Sequence, residues 1–244
     1  MRNRAEVRTK QSTRRKNQTT HEDHIDPIET APEKYRVARE PLTPATEAQK
    51  RYLNAIKHHT LTFADGPAGT GKTFVCTAYA ASLLEEKRIE RIIITRPAVE
   101  AGESLGFLPG ELEDKFAPYL WPFKDVLNER LGKSFVEYLI KCGRIEAVPL
   151  AYIRGRTFRD AFVILDEAQN TSPKQMQMFL TRIGQNCKVV VNGDIAQCDI
   201  VGDNGLRDAI GRLSHLSSVR HVRFSVDDIV RSDLVGDIVR AYSV

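Results

Sequence analysis

Residues 66–73 read GPAGTGKT and match the phosphate-loop pattern GxxxxGK[ST] at every fixed position. The glycines of such a loop let the backbone curl until successive N–H groups point inward at phosphate oxygens. A strand-like run precedes the stretch and a helix-like run follows it, so the positive end of a helix dipole also faces the phosphates. We therefore predict a nucleoside triphosphate site in which Lys72 reaches the β- and γ-phosphates and Thr73 binds Mg²⁺. Its members are Gly66, Pro67, Ala68, Gly69, Thr70, Gly71, Lys72 and Thr73.

Short apolar runs alternate with helical stretches along the chain, which predicts an α/β fold with a mostly parallel sheet flanked by helices. Ligands of such sheets bind at the carboxyl ends of the strands. The predicted strands are Leu61–Ala64, Arg91–Thr95, Ile145–Pro149, Ala161–Leu165, Lys188–Asn192 and Val219–Phe224. The predicted helices are a first one capped by Thr46, then Lys72–Lys87, Pro118–Leu131, Pro173–Ile183, Gly205–Leu213 and Val226–Tyr242.

Two carboxylates, Asp166 and Glu167, directly follow the apolar run 161–165. We expect this strand to lie beside the strand that feeds the phosphate loop, so that Asp166 holds Mg²⁺ through its water shell. Glu167 is the candidate base that orients and deprotonates the attacking water. The pair favours hydrolysis over phosphoryl transfer to a small metabolite, because small-molecule kinases share the loop but seldom need such a pair.

A third strand, Lys188–Asn192, runs into a polar turn that is followed by Gln197. An amide at this place can bond the γ-phosphate or the attacking water. Loss of that bond after hydrolysis can move the turn, which would make Gln197 a sensor of the nucleotide state.

The ordered motifs GPAGTGKT, DEAQN and GDIAQ resemble the first RecA-like domain of superfamily 1 helicases. The phosphate-starvation-inducible PhoH-like ATPases are a closer match, since three further stretches resemble them. These are ITRPAVEAGESLGFLPG at 94–110, PLAYIRGRTFRDAFVILDEAQN at 149–170 and DDIVRSDLVGDIVRAY at 227–242. The resemblance extends over residues 42–244. It implies a single RecA-like domain with ATPase activity, often linked to RNA.

Gln49, in the stretch TPATEAQ, looks like the adenine-reading glutamine of these helicases. Its amide can pair with both N6 and N7 of adenine, which would favour ATP over GTP. The alternative is an ordinary surface position on the first helix.

Arg231 is the candidate arginine finger that the resemblance implies. Superfamily 1 motors place ATP between two RecA-like domains, and the second domain supplies arginines. In a single domain, the arginine must come from the same chain or from a neighbouring subunit. A finger acting in trans would place ATP at a subunit interface, so a closed ring would follow, and the resemblance suggests a homo-hexamer. The alternative is that Arg231 forms a surface salt bridge.

RNA or another single-stranded nucleic acid is the expected partner, and basic and hydroxyl groups after two of the strands are candidates to hold its phosphates. The same arginines can instead bind ATP phosphates across an interface. Tyr152, Phe158 and Trp121 can stack on bases, although core positions are the plainer expectation. The candidate phosphate contacts are Thr95, Arg96, Arg154 and Arg156.

The basic charge of the chain is concentrated at its start, where residues 1–20 hold seven basic groups and one acidic group. We expect residues 1–40 to be a disordered tail and 41–244 to form the ATPase domain. The tail can bind phosphate backbones, or it can be solvated without a specific partner. Four scattered cysteines without a CxxC pair, together with the lack of a membrane-length apolar run, favour a cytoplasmic protein.

ATP hydrolysis with Mg²⁺, coupled to RNA binding or remodelling, is the function that the motifs favour. Two alternatives stay open at this level. One is a small-molecule kinase, and the other is a scaffold in which ATP holds a ring together without driving a motor.

Overall fold

The computed structural model describes residues 40–97, 112–200 and 202–230, with the single positions Ile238 and Ala241. Its strands are β1 (Leu61–Asp65), β2 (Arg91–Arg96), β3 (Ile145–Pro149), β4 (Ala161–Leu165), β5 (Lys188–Gly193) and β6 (Val219–Arg223). They form one six-stranded sheet in the order β3-β2-β4-β5-β1-β6, and all five pairings are parallel. The predicted α/β class, with a parallel sheet flanked by helices, is confirmed. The predicted basic tail lies outside the described residues.

Helices cover both faces of the sheet. They are α1 (Glu47–His58), α2 (Lys72–Glu85), α3 (Leu112–Leu131), α4 (Lys133–Lys141), α5 (Pro173–Leu180) and α6 (Gly205–Leu213). The first four helices bury their apolar sides against one face, and α5 and α6 bury theirs against the other. Because β1 and β4 are covered on both sides, every residue of these two strands is buried, which explains the unbroken apolar run of β4. Among the described residues, no helix combines the length and the apolar character needed to cross a membrane.

One expectation about strand order is wrong. The strand that ends at the two carboxylates, β4, does not pair with β1, since β5 lies between them and pairs with both. The apolar patterns of three fully buried parallel strands do not distinguish the central strand from its neighbours. The insertion of β5 places the turn after Gly193 between the phosphate loop and the carboxylates.

Several helical segments also differ from the prediction, since α3 begins at Leu112 instead of Pro118 and α5 ends at Leu180 instead of Ile183. Residues 226–228 form a single 3-10 turn, and Val230 N donates to the Gly69 carbonyl at 3.0 Å. The helix predicted to begin at Val226 therefore does not begin there, because the chain first crosses the phosphate loop. In addition, α4 follows α3 after Gly132, whose φ of 87° breaks the helix, and this second helix was not predicted.

Candidate nucleotide site

The phosphate loop connects the end of β1 to the start of α2. Its glycines Gly66, Gly69 and Gly71 have φ values of 143°, 82° and 81°, a range that side chains with a Cβ rarely adopt. Space is also restricted, since a Cβ on Gly66 would lie 2.4 Å from the Phe224 carbonyl oxygen. The chain at the end of β6 therefore packs directly against the loop. Glycine is required at position 66 both by the backbone conformation and by the contact with Phe224.

Lys72 is held inside this loop. Its Nζ donates to the carbonyl oxygens of Gly66 and Pro67, the second at 2.9 Å. Burial lowers the pKa of Lys72, while the negative charges of Asp194 and Asp166 act in the opposite direction. The ammonium group thus lies among three polar strand ends, where a phosphate can replace the carbonyl acceptors as its partner.

Asp166 is buried at the end of β4. Burial raises its pKa from an ordinary 3.8 to about 6, and Arg96, whose Nε lies 3.8 Å from Asp166 Oδ2, partly offsets that effect. Asp166 and Thr73 line the same cavity of about 450 Å³, together with Lys72 and Glu167. A carboxylate and a hydroxyl are the hard oxygen donors that Mg²⁺ prefers, and a buried carboxylate with a raised pKa is stabilised by a nearby cation. This donor set fits the predicted metal.

Glu167 is fixed by two donors. Arg96 Nη2 donates to Glu167 Oε1 at 2.6 Å, and Gln169 Nε2 donates to Glu167 Oε2 at 2.7 Å. The backbone of Glu167 has a φ of 53°, which is uncommon for a residue with a side chain. These contacts hold the carboxylate at the wall of the cavity, so its direction is set before any ligand binds.

The turn after β5 completes the cavity wall with Asp194 and Gln197. Asp194 N donates to Gln169 Oε1 at 3.1 Å, so the amide of Gln169 joins this turn to Glu167. Gln197 is exposed and lines the cavity, as its predicted sensor role requires. The structure thus brings Gln197 together with the two carboxylates and Lys72.

Gln49 is buried against the outside of the phosphate loop. Its Nε2 donates to the Thr70 carbonyl at 3.1 Å, and its Oε1 accepts from Ala45 N at 2.8 Å. The alternative of a surface position is excluded by its 4% exposure. Adenine recognition by Gln49 stays a prediction, and pairing with a base would require Gln49 to exchange both of these bonds.

The predicted nucleic-acid contacts do not come together. Thr95 is fully buried inside the sheet, so in this conformation it cannot reach a ligand, and Arg96 lies against the carboxylates instead of facing outward. Arg156 Nη2 pairs with Glu146 at 2.7 Å, whereas Arg154 is exposed. Arg231 lies outside the described residues.

The three aromatic candidates separate by exposure. Phe158 is buried in the core, as expected. Trp121 and Tyr152 are 64% and 58% exposed, so the expectation that they are core residues is wrong. A surface position can carry an aromatic ring without burying it. A single sequence gives no signal that distinguishes such an exposed ring from a buried one.

The comparison with known proteins decides the family. The model described as PhoH-like protein matches residues 41–243. The chain belongs to the PhoH-like family. It is 51% identical over 207 residues to the protein PhoH of Escherichia coli K12, 50% identical over 204 residues to a PhoH-like protein of Mycobacterium bovis, and 48% identical over 199 residues to one of Bacillus subtilis.

These PhoH-like relatives are longer than the matched segment. The alignments cover 83%, 83% and 81% of this chain but 58%, 58% and 62% of the three relatives, in the same order. Among solved structures, the Pif1 helicase from Candida albicans aligns with a TM-score of 0.38 and 12% identity, covering 75% of this chain and 40% of the helicase. A TM-score this low is too weak to support an argument about function.

Two residues of this PhoH-like site were not among the predicted site residues. Asp194 lines the cavity, and Gln169 links it to Glu167. Asp194 was accessible from sequence, because it follows a buried strand as Asp166 does. Gln169 was not, because its role rests on contacts with two different strand ends.

Proposed function

We propose that this chain hydrolyses ATP with Mg²⁺. The observation that carries the proposal is the convergence of Lys72, Thr73, Asp166 and Glu167 on one cavity at the carboxyl ends of the parallel strands. Small-molecule phosphoryl transfer would need a second substrate beside the γ-phosphate, whereas Glu167 and Gln197, which line this cavity, are suited to orienting a water. Membership of the PhoH-like family supports the same class of activity.

The division of labour follows from the contacts. Lys72 exchanges its carbonyl acceptors for phosphate oxygens and neutralises their charge. Thr73 and Asp166 hold Mg²⁺, which supplies charge neutralisation at the phosphates when bound. Glu167 retains acceptor capacity, since each carboxylate oxygen carries two lone pairs and Arg96 and Gln169 donate to different oxygens. It orients a water and takes its proton, while Gln197 bonds the water or the γ-phosphate.

An E167Q variant tests the catalytic assignment. The amide keeps the size of Glu167 but cannot accept a proton, so we expect turnover to fall at least ~100-fold while the affinity for a fluorescent ATP analogue changes little. Glu137→Gln, at an exposed position of α4, is the matched control and should retain turnover. Steady-state phosphate release and analogue titration provide the two measurements. Equal turnover in E167Q and wild type would contradict the role of Glu167.

We further propose that hydrolysis is coupled to a single-stranded nucleic acid, with RNA as the expected strand, in a homo-oligomeric ring. The PhoH-like resemblance and the basic residues 1–20 support this part of the proposal. Phosphate release measured with and without oligo-U RNA tests it. Stimulation supports a motor or remodelling role. Nucleotide binding without turnover under both conditions would instead favour a scaffold.

A further inference from the structure

A second and larger cleft lies on the other side of the phosphate loop. Its volume is about 840 Å³, against about 450 Å³ for the nucleotide cavity, and Asp194 lines both. Gly66 and Pro67 form part of its wall, and α1, α6, the end of β6 and the turns after β5 and β6 contribute further residues. An occupant of this cleft would therefore contact the same loop segment whose carbonyls hold Lys72.

Three arginines from three separate elements line the cleft. Arg51 comes from α1, Arg207 from α6 and Arg223 from the end of β6, and all three are exposed. Within the described part of the chain, none of the three guanidinium groups forms an ion pair with a carboxylate. They are therefore available to an external anion.

The cleft also contains three aspartates, but each is engaged by backbone groups. Asp65 Oδ1 accepts from Ile195 N at 2.9 Å, and Asp194 Oδ1 accepts from Ala196 N at 3.0 Å. Asp228 Oδ2 accepts from both the N–H and the hydroxyl of Ser225. These carboxylates shape the walls, whereas the three arginine head groups form no such bonds with the residues that the structure describes. His221 adds no charge near neutral pH, because burial lowers its pKa.

We propose that this cleft binds the phosphate backbone of a single-stranded nucleic acid, which gives the proposed RNA coupling a specific surface. The cleft is too large for one phosphate, and positive charges on three separate elements can contact more than one phosphate of a strand. This inference rests on the proposed function. It replaces the nucleic-acid contacts expected from sequence, which do not form one surface, since Thr95 is buried and Arg96 pairs with Glu167. Phosphate contacts carry no sequence information, so binding should not depend on base sequence.

The test compares two triple variants of the full chain. R51A/R207A/R223A removes the cleft charges, and R88A/R159A/R220A removes three exposed arginines that do not line the cleft. Anisotropy of a labelled oligo-U RNA is measured between about 50 and 200 mM salt. Loss of about three phosphate contacts should weaken RNA binding at least ~10-fold at the higher salt and reduce the salt slope by about 2 for a single strand. The control variant should change both values much less.

Three further measurements, of ATP-analogue affinity, of RNA-stimulated phosphate release and of pyrophosphate binding, distinguish the possible explanations. Affinity for a fluorescent ATP analogue should stay unchanged in both variants, and stimulation of phosphate release by RNA should be lost only in the cleft variant. If wild type binds RNA and the two variants bind it equally, this inference is overturned while the proposed function stands. If wild type binds no RNA, the proposed coupling fails with it. Loss of pyrophosphate binding with RNA binding intact would show a small-anion site and also overturn the inference.

Discussion

Gln169 connects the candidate base to the sensor turn through a single amide. Its Nε2 bonds Glu167 and its Oε1 accepts from Asp194 N, and the side chain is only 3% exposed. A shift of the turn that contains Asp194 and Gln197 can therefore reach the carboxylate of Glu167 through the side chain of Gln169 alone. We regard Gln169 as a positioning residue, since it contacts the base and does not face the cavity itself.

A Q169L variant should separate positioning from binding. Leucine leaves one oxygen of Glu167 and the Asp194 N–H without this partner, so we expect kcat to fall about 10-fold or more while KM for ATP changes little. Gln177→Leu, at an exposed position of α5, serves as the control. A parallel rise in KM with unchanged kcat would show that Gln169 supports nucleotide binding instead.

The buried charge of Asp166 should make stability depend on pH. Because its folded pKa is raised from 3.8 to about 6, the folded protein binds this proton more tightly than the unfolded chain, and stability falls as pH rises between these values. We expect the free energy of unfolding of D166N to exceed that of wild type by up to about 3 kcal/mol near pH 7.5 and by roughly half as much near pH 5. Urea unfolding in EDTA measures both differences. Asp125→Asn, on the exposed side of α3, should show neither, and a difference independent of pH would contradict the argument.

At the scale of elements, the segment after β6 packs against the phosphate loop and forms hydrogen bonds with it and with the end of β1. Phe224 N donates to the Asp65 carbonyl at 2.8 Å, and Val230 N donates to the Gly69 carbonyl at 3.0 Å. The Phe224 ring also lies 5.9 Å from Lys72 Nζ. The loop conformation is thus determined jointly by its own glycines and by a segment more than a hundred residues later in the chain.

Replacing Gly66 by Ala should disturb both elements together. Its φ of 143° costs about 1–3 kcal/mol for a residue with a side chain, and the contact with the Phe224 backbone adds a packing cost of about 1–3 kcal/mol. We expect lower stability and weaker ATP binding, measured by urea unfolding and analogue titration. Gly211→Ala in α6, where the added Cβ meets nothing within 4 Å, should be neutral or slightly stabilising. Equal effects of the two substitutions would refute this account.

The central strands were predictable from sequence because burial on both faces leaves mostly apolar runs, and all six predicted strands lie within one residue of the observed bounds at either end. Lys72, Asp166 and Glu167 were also accessible, since each follows a buried strand in a recognisable motif. The position of β5 between β4 and β1 was not predictable, because the apolar residues of these three strands do not indicate which strand pairs with which. The contacts of Arg96 and Gln169 likewise depend on strand ends brought together only by folding.

At the scale of the whole molecule, the chain spans 58% of the E. coli relative it matches, so the relative carries further sequence beyond the aligned part. The nucleotide cavity and the larger arginine-lined cleft both open at the carboxyl edge of the sheet. In the proposed ring, a neighbouring subunit would lie over that edge. Arg231 of the neighbour is the residue that we expect to reach the nucleotide.

Mixing inactive subunits tests whether Arg231 acts in trans. K72A should fail to bind nucleotide productively and R231A should bind it without turnover, so each variant alone should be inactive. In a mixed ring, some sites would combine an intact loop with an intact Arg231 from the neighbour, and phosphate release should recover to a fraction of the wild-type rate. Native mass spectrometry confirms that mixed oligomers form. Mixed oligomers without recovery would place Arg231 in the same subunit as its site, or outside the reaction.

Because both sites open at one edge of the sheet, the opposite edge is available for labels. The exposed thiol of Cys142 lies there, in the turn that leads from α4 into β3, whereas Cys76 and Cys187 are buried. A maleimide dye should therefore react first at Cys142, once the partly exposed Cys198 has been replaced. With Cys198 replaced, Cys142 thus offers an attachment point for single-molecule fluorescence that leaves the nucleotide and nucleic-acid surfaces uncovered.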